Sequence, residues 1–111
     1  MDSFEERAAQ NEALFRAVNE EIERLGQVEP GSSRHLTAFV CECSDGTCAE
    51  RVHLTTAEYE EVRSQSRWFA IYPGHVTDQI EHIVRSTDRY VIVQKDTPGA
   101  AEIVDISDPR D

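Results

Sequence analysis

Lysine is almost missing from this chain: Lys95 is the only one, and every other cation is an arginine. Cations number 11 against 22 acidic residues, a formal net charge of -11. The cations are scattered singly and form no basic patch. Nucleic-acid affinity rests mainly on neutralising phosphates, so direct nucleic-acid binding is disfavoured. Acidity of this kind serves solubility, or suits the basic face of another protein. The arginine bias fits a GC-rich genome better than it fits any chemistry.

Long apolar runs are missing too. No stretch approaches the ~20 residues that cross a bilayer, so no membrane role is expected. The start, Met1-Asp2-Ser3-Phe4-Glu5-Glu6, has neither a basic region nor an apolar run. No signal peptide is therefore expected, and the cytoplasm is the expected compartment. Cysteine is scarce and odd in number: Cys41, Cys43 and Cys48. Such a set fits a disulfide framework poorly, and cytoplasmic thiols stay reduced. Familiar catalytic signatures are absent. There is no His-Glu-x-x-His, no Gly-rich phosphate loop, no Gly-x-Ser-x-Gly elbow and no deaminase His-x-Glu with Pro-Cys-x-x-Cys.

What is present is ordinary for a folded domain: 111 residues, 39% hydrophobic and 30% charged. That composition excludes disorder of the whole chain and allows one modest core. Ser3 with Glu6 forms a capping-box pattern, and Gly26 stops the helix it opens. Within it Phe4, Ala8, Asn11, Phe15, Val18, Ile22 and Leu25 recur as a heptad stripe, widened by Ala13 and Leu14. Glu5, Glu12, Arg16, Glu20, Glu23 and Arg24 form the other face, expected to be solvated. The stripe packs on the protein's own sheet, or it docks a partner or a second copy of the helix. For the second reading Phe4, Asn11, Phe15, Val18 and Ile22 are the contact residues. Asn11 would then set register at a cost in stability.

Gln27 to Arg34 contains Pro-Gly-Ser-Ser and reads as a flexible connection. Strand patterns follow at Leu36–Cys43, Arg51–Leu54, Trp68–Tyr72 and Tyr90–Gln94. Thr55 with Glu58 opens a second helix. Residues 79–84 suit either a short helix or a strand. Asp96–Gly99 reads as a turn, with Ala101–Ile106 returning as a strand and the end fraying. The expected class is α+β. An N-terminal amphipathic helix (1–26) and a linker (27–35) lead to a zinc-stapled α+β domain (36–106) with a tail (107–111). That domain is a small mostly antiparallel sheet with one further helix.

The chemistry sits in Cys41-x-Cys43-x4-Cys48. Side chains two apart on a strand share a face, so Cys41 and Cys43 can aim two sulfurs at one point. The Asp45-Gly46 turn brings Cys48 back as a third. Zinc takes four tetrahedral ligands from thiolate and imidazole. His75, after the rigid Pro73-Gly74 turn, is the favoured fourth, with His53, His35, His82, a water, Asp45 or Glu50 as alternatives. Two readings compete with metal: a redox pair at Cys41 and Cys43, and three inert thiols. The flanks Glu42, Ser44, Asp45, Thr47 and Glu50 are too polar for a core run. Glu42 or Glu50 would be the acid or base of a catalytic zinc. Three thiolates make a poor Lewis acid, so the expected ion is one structural Zn2+.

Two longer patterns carry a resemblance. One is Cys41-Glu42-Cys43-Ser44-Asp45-x-x-Cys48 with Val52-His53-Leu54-Thr55-x-x-Glu58-Tyr59-Glu60-x-Val62-Arg63, Pro73-Gly74-His75 and Tyr90-Val91-Ile92-Val93. The other is Arg7-Ala8-x-x-Asn11-Glu12-x-x-Phe15-Arg16-x-x-Asn19-Glu20. Over about residues 4–95 the chain resembles an uncharacterised family of short actinobacterial proteins. The resemblance implies that Cys41, Cys43, Cys48 and His75 act as a unit, and it implies no activity. The zinc anti-sigma pattern His-x3-Cys-x2-Cys and the four-cysteine pattern of iron–sulfur regulators are not matched. The resulting expectation is a non-enzymatic zinc-binding interaction module, regulatory in transcription or stress response. A thiol or metal sensor and a small zinc hydrolase or transferase are the alternatives.

Overall fold

The computed structural model describes residues 4–26 and 35–110. Its elements run α1 (Phe4–Gly26), β1 (Thr37–Val40), β2 (Arg51–Leu54), α2 (Thr56–Arg63), β3 (Trp68–Ile71), β4 (Glu81–Ser86), β5 (Val91–Lys95) and α3 (Pro98–Ile106). The class is α+β as expected, but two small sheets replace the single one. An antiparallel β1–β2 hairpin stands beside an antiparallel three-stranded sheet ordered β3-β5-β4. Ser3 and the Gln27–Arg34 connection lie outside the described residues.

Alternation along β3 and β5 gives the three-stranded sheet two apolar faces, as it must for a buried strand pair. Phe69, Ile71, Val91 and Val93 pack with Ala9, Cys41, Cys43, Ala100 and Val104. Ala70 and Ile92 pack with Phe39, Val52, Leu54, Tyr59 and Val62. Helices α1 and α3 and the cysteine segment therefore cover one face, while the hairpin and α2 cover the other. Phe39 and Tyr59 stack with ring centroids 4.3 Å apart. Thr55 caps α2 and exchanges both capping-box hydrogen bonds with Glu58, as the pattern predicts.

Several expectations are corrected. The first strand ends at Val40, so Cys41 and Cys43 lie beyond the ladder. Of residues 79–84, Gln79 and Ile80 close a turn and 81–84 begin β4, which pairs with β5 around a bulge at Ile83 and Arg85. Ala101–Ile106 is the body of α3, so two further helices follow α1 rather than one. Pro98 serves as a helix start, where its missing N–H costs nothing, and Ala100, Ala101 and Val104 are the buried face. Up to Arg110 the tail is tied back by ion pairs, Arg63 with Asp108 and Arg110 with Glu20, Glu23 and Glu60, while Asp111 lies outside the described residues.

The largest correction concerns α1. Its buried residues are Ala8, Ala9, Glu12, Arg16, Asn19 and Glu23. Glu12, Arg16 and Glu23 belong to the face expected to be solvated. Lys95 explains Glu12: its ammonium lies 2.5 Å from the Glu12 carboxylate and also pairs with Glu81, all three out of water. Burial pushes the Glu12 carboxyl well above its usual range, against the pull of Lys95. Arg16 donates to the carbonyls of Ser66 and Val104 and lies 4.9 Å over the Phe69 ring. Val104 is in the last turn of α3, where a cation meets the negative end of the helix dipole. The apolar residues Phe4, Leu14, Val18 and Leu25 point outward.

Candidate metal centre

Extended backbone continues past β1 without strand pairing on both sides. Cys41 N–H donates to the Glu50 carbonyl (3.1 Å), and Glu42 N–H donates to the Ala70 carbonyl (2.9 Å). Alternation therefore persists through residues 41–43. Cys41 and Cys43 face one way and Glu42 the other, which is the arrangement the spacing predicts. Cys48 returns through a turn closed by its N–H on the Asp45 carbonyl, 3.0 Å. His75 comes from the end of β3. The Tyr72–His75 turn is closed by His75 N–H on the Tyr72 carbonyl, 3.0 Å. Gly74 sits at φ 93, the left-handed value that a Pro-Gly turn of type II needs at its third position.

These pieces meet at one point. The three Sγ atoms and a ring nitrogen of His75 all lie within 4.8 Å of one another, a group that can hold a metal ion. His75 Nδ1 is 3.6 Å from Cys41 Sγ and 3.6 Å from Cys48 Sγ. A tetrahedral ion with bonds of about 2.3 Å to sulfur and 2.0 Å to nitrogen sets that separation at about 3.5 Å. Two sulfurs on the same ion stand about 3.8 Å apart, so even a pair at the 4.8 Å limit would close by about 1 Å. The residues fit a four-coordinate metal with soft ligands.

Electrostatics agree with metal-ready thiols. A hydrogen bond from Cys41 draws the Cys43 thiol down to about 5. The same bond, followed by burial, pushes Cys41 up, and burial pushes Cys48 up. Metal binding takes thiolates, so it competes with the protons on this cluster. Tyr72 N–H donates to Cys41 Sγ at 3.1 Å, a partner suited to a charged sulfur. A shallow cleft of about 230 Å³, lined by Cys43, Ser44, Asp45, His75, Val76 and Thr77, opens beside the cluster.

The other sequence candidates lie elsewhere. His35 and His53 are exposed, and His82 pairs with Asp96 at 2.6 Å. Asp45 is turned onto Thr47, accepting from its N–H and hydroxyl. Glu50 is exposed. Glu42 is fully buried and faces away from the sulfurs, accepting from Asn19, the Tyr59 hydroxyl and Ala70 N–H. It is a hub of the fold, and its burial raises its pKa. Of the proposed contact residues on α1, Phe4 and Val18 are exposed. Phe15 is half-buried, Asn11 donates to the Ser44 carbonyl, and Ile22 packs against the Phe39–Tyr59 cluster. Sequence reasoning gave Asn19 no role in the site, although it stands in the α1 pattern that carries the resemblance and at helical spacing from Glu12 and Arg16.

Comparison with family models, with curated proteins and with solved structures finds no match. Among the described residues no helix is long and apolar enough to cross a membrane.

Proposed function

We propose that this protein is a non-enzymatic zinc-binding module whose ion is structural and whose role is regulatory, exercised through a protein partner. The observation that carries the zinc reading is the pair of 3.6 Å separations between His75 Nδ1 and two sulfurs, with the third sulfur in the same cluster. Four protein ligands close a tetrahedral shell and leave no position for substrate. Glu42 is turned away and Asp45 in the adjoining cleft is engaged by Thr47, so neither carboxylate is aimed at the cluster as the acid or base of zinc hydrolysis. Zinc here would tie the β1–β2 hairpin to the end of β3, joining the two sheets. Such an ion contributes ~10 kcal/mol or more to folding, as much as a whole domain's stability. The partner surface is the outward face of α1, where Phe4, Leu14, Val18 and Leu25 stand exposed on a strongly acidic protein.

The test is metal content of the purified protein with Cys48→Ser and His75→Ala beside it. One zinc per chain is expected, with both variants losing it. Full zinc retention by His75→Ala would remove His75 from the ligand set.

A second reading, an oxidant-responsive switch, is favoured by Cys48, which is half-buried while Cys41 and Cys43 are buried. Two thiols and hydrogen peroxide give one disulfide and two waters, and the metal loses two ligands. Zinc release at modest peroxide supports it; retained zinc at that dose refutes it.

A further inference from the structure

The segment Val40–Ser44, which continues β1 to Cys43 and bends at Ser44, has two edges. Cys41 and Cys43 project to the metal cluster. The three residues that alternate with them are all held by α1. Asn19 donates to the Val40 carbonyl (2.8 Å) and accepts from Val40 N–H (2.8 Å). The same side-chain amide donates to the Glu42 carboxylate at 2.9 Å. Two turns of helix earlier, Asn11 donates to the Ser44 carbonyl at 2.9 Å. The fit against the loop is close: a Cβ on Gly46 would stand 3.2 Å from the Asn11 amide.

We propose that Asn19 and Asn11 are positioning residues of the metal centre, and that through them metal binding and the docking of α1 are coupled. The proposal rests on the zinc reading above and deepens it by naming what the ion regulates. Val40 is the last residue of β1 paired with β2, and on the open edge of the strand Asn19 takes the place of a further neighbour. It thereby fixes the alternation that aims both sulfurs at one point. Asn11 fixes the far end, before the turn that returns Cys48. Outer-shell partners of this kind orient ligands and tune affinity. Coupling is reciprocal: if α1 stiffens the ligand segment, the filled metal site must hold α1 in place. The buried face of α1 is polar, so its docking depends on acceptors being held in position rather than on apolar area.

The experiment measures zinc transfer from the loaded protein to a chromophoric chelator. Asn19→Ala is expected to release zinc about 10-fold faster than wild type. Val62→Ala, a core change on the opposite face of the sheet, controls for lost stability and should stay within about twofold of wild type. Asn11→Ala removes one bond at the half-buried edge of α1 and serves where Asn19→Ala fails to fold; it too must release faster than Val62→Ala. Equal rates in the asparagine variants and the control overturn the coupling and leave the zinc reading standing. A wild type that takes up no zinc overturns both. Cobalt(II) adds a spectroscopic arm, since a misplaced thiolate in Asn19→Ala should shift its tetrahedral absorption bands. In wild type, stripping zinc should raise amide exchange in α1 more than in α2. Equal loosening of the two helices, or none in α1, overturns the coupling.

Discussion

Helices α1 and α2 dock on opposite faces of the same sheet by opposite means. Helix α2 is short, is capped by Thr55 and Glu58, and buries Tyr59 and Val62 in an apolar cluster. Helix α1 is nearly three times as long, yet it buries Glu12, Arg16, Asn19 and Glu23 and leaves Leu14, Val18 and Leu25 in water. Apolar contact is non-directional and tolerates small shifts. Hydrogen bonds to buried carbonyls are directional and leave costly orphans when they slip. The α2 side is therefore a core, while the α1 side is a docking joint. The largest expected effect breaks that joint. Lys95→Met leaves Glu12 and Glu81 buried without their cation. A loss of about 3–5 kcal/mol is expected in urea unfolding of the zinc-loaded protein. Glu12→Gln, which copies the protonated carboxyl, should cost far less. Equal costs would mean that the Glu12 charge matters to the triad as much as its cation does.

The same contrast explains what could be read from the chain. The cysteine cluster and His75 were legible because metal chemistry imposes residue type and spacing together. Helix α2 was legible because its cap and apolar period agree. Helix α1 was legible as a helix, but its facing was not: the apolar period selects one side, and the docked side is chosen by Lys95, Glu42 and two carbonyls distant in sequence. In the sequence Pro98-Gly99 reads as a turn because both residues favour one. Only the burial of Ala100, Ala101 and Val104 against α1 and the sheet decides for a helix.

Smaller changes sharpen the comparison on the α2 side. Tyr59→Phe keeps the ring stacked on Phe39 but takes one donor from the buried Glu42 carboxylate, 2.6 Å away. A loss of about 1–3 kcal/mol is expected in the denaturation midpoint, because a charged acceptor is left short of a partner. Thr55→Ala removes the cap of α2 and should cost about 1 kcal/mol, with zinc affinity unchanged. A fall in zinc affinity from Thr55→Ala would blur the division between the two faces.

Acid titration separates the faces again. Burial, reinforced by Glu60, raises Glu23 on α1 to about 8. A group raised in the folded state adds stability below its unfolded value of about 4.3 and loses that contribution as pH rises through about 8. Arg89 and the capping box lower Glu58 on α2 to about 2. Its contribution is present above about 4.3 and is lost as pH falls toward 2. Between pH 5 and 8 the Glu23 contribution should therefore fall with rising pH, while the Cys43 thiol, drawn down to about 5, contributes in the opposite sense. The difference between variant and wild type isolates Glu23: the stability of Glu23→Gln relative to wild type should rise across this window. Glu12 is raised too, so the double variant with Glu12→Gln should gain more still. A difference that does not change with pH would mean that Glu23 is not raised in the folded state.

The smallest effect on stability is expected where α1 is most hydrophobic. Leu14 and Leu25 are 63% and 62% exposed, and Val18 is 41% exposed. Replacing each with Gln removes little buried area, so each change should stay within about 0.5 kcal/mol by denaturation. That near-silence makes them clean probes of partner binding. Removing α1 altogether would confound docking with folding, because Asn19 and Arg16 tie the helix to β1 and α3. The triple variant keeps those ties and erases only the outward stripe. If it folds, keeps its zinc and still engages the same partner, the outward stripe of α1 is not the docking surface. Its exposed leucines would then have no more meaning than scattered apolar residues on any folded surface.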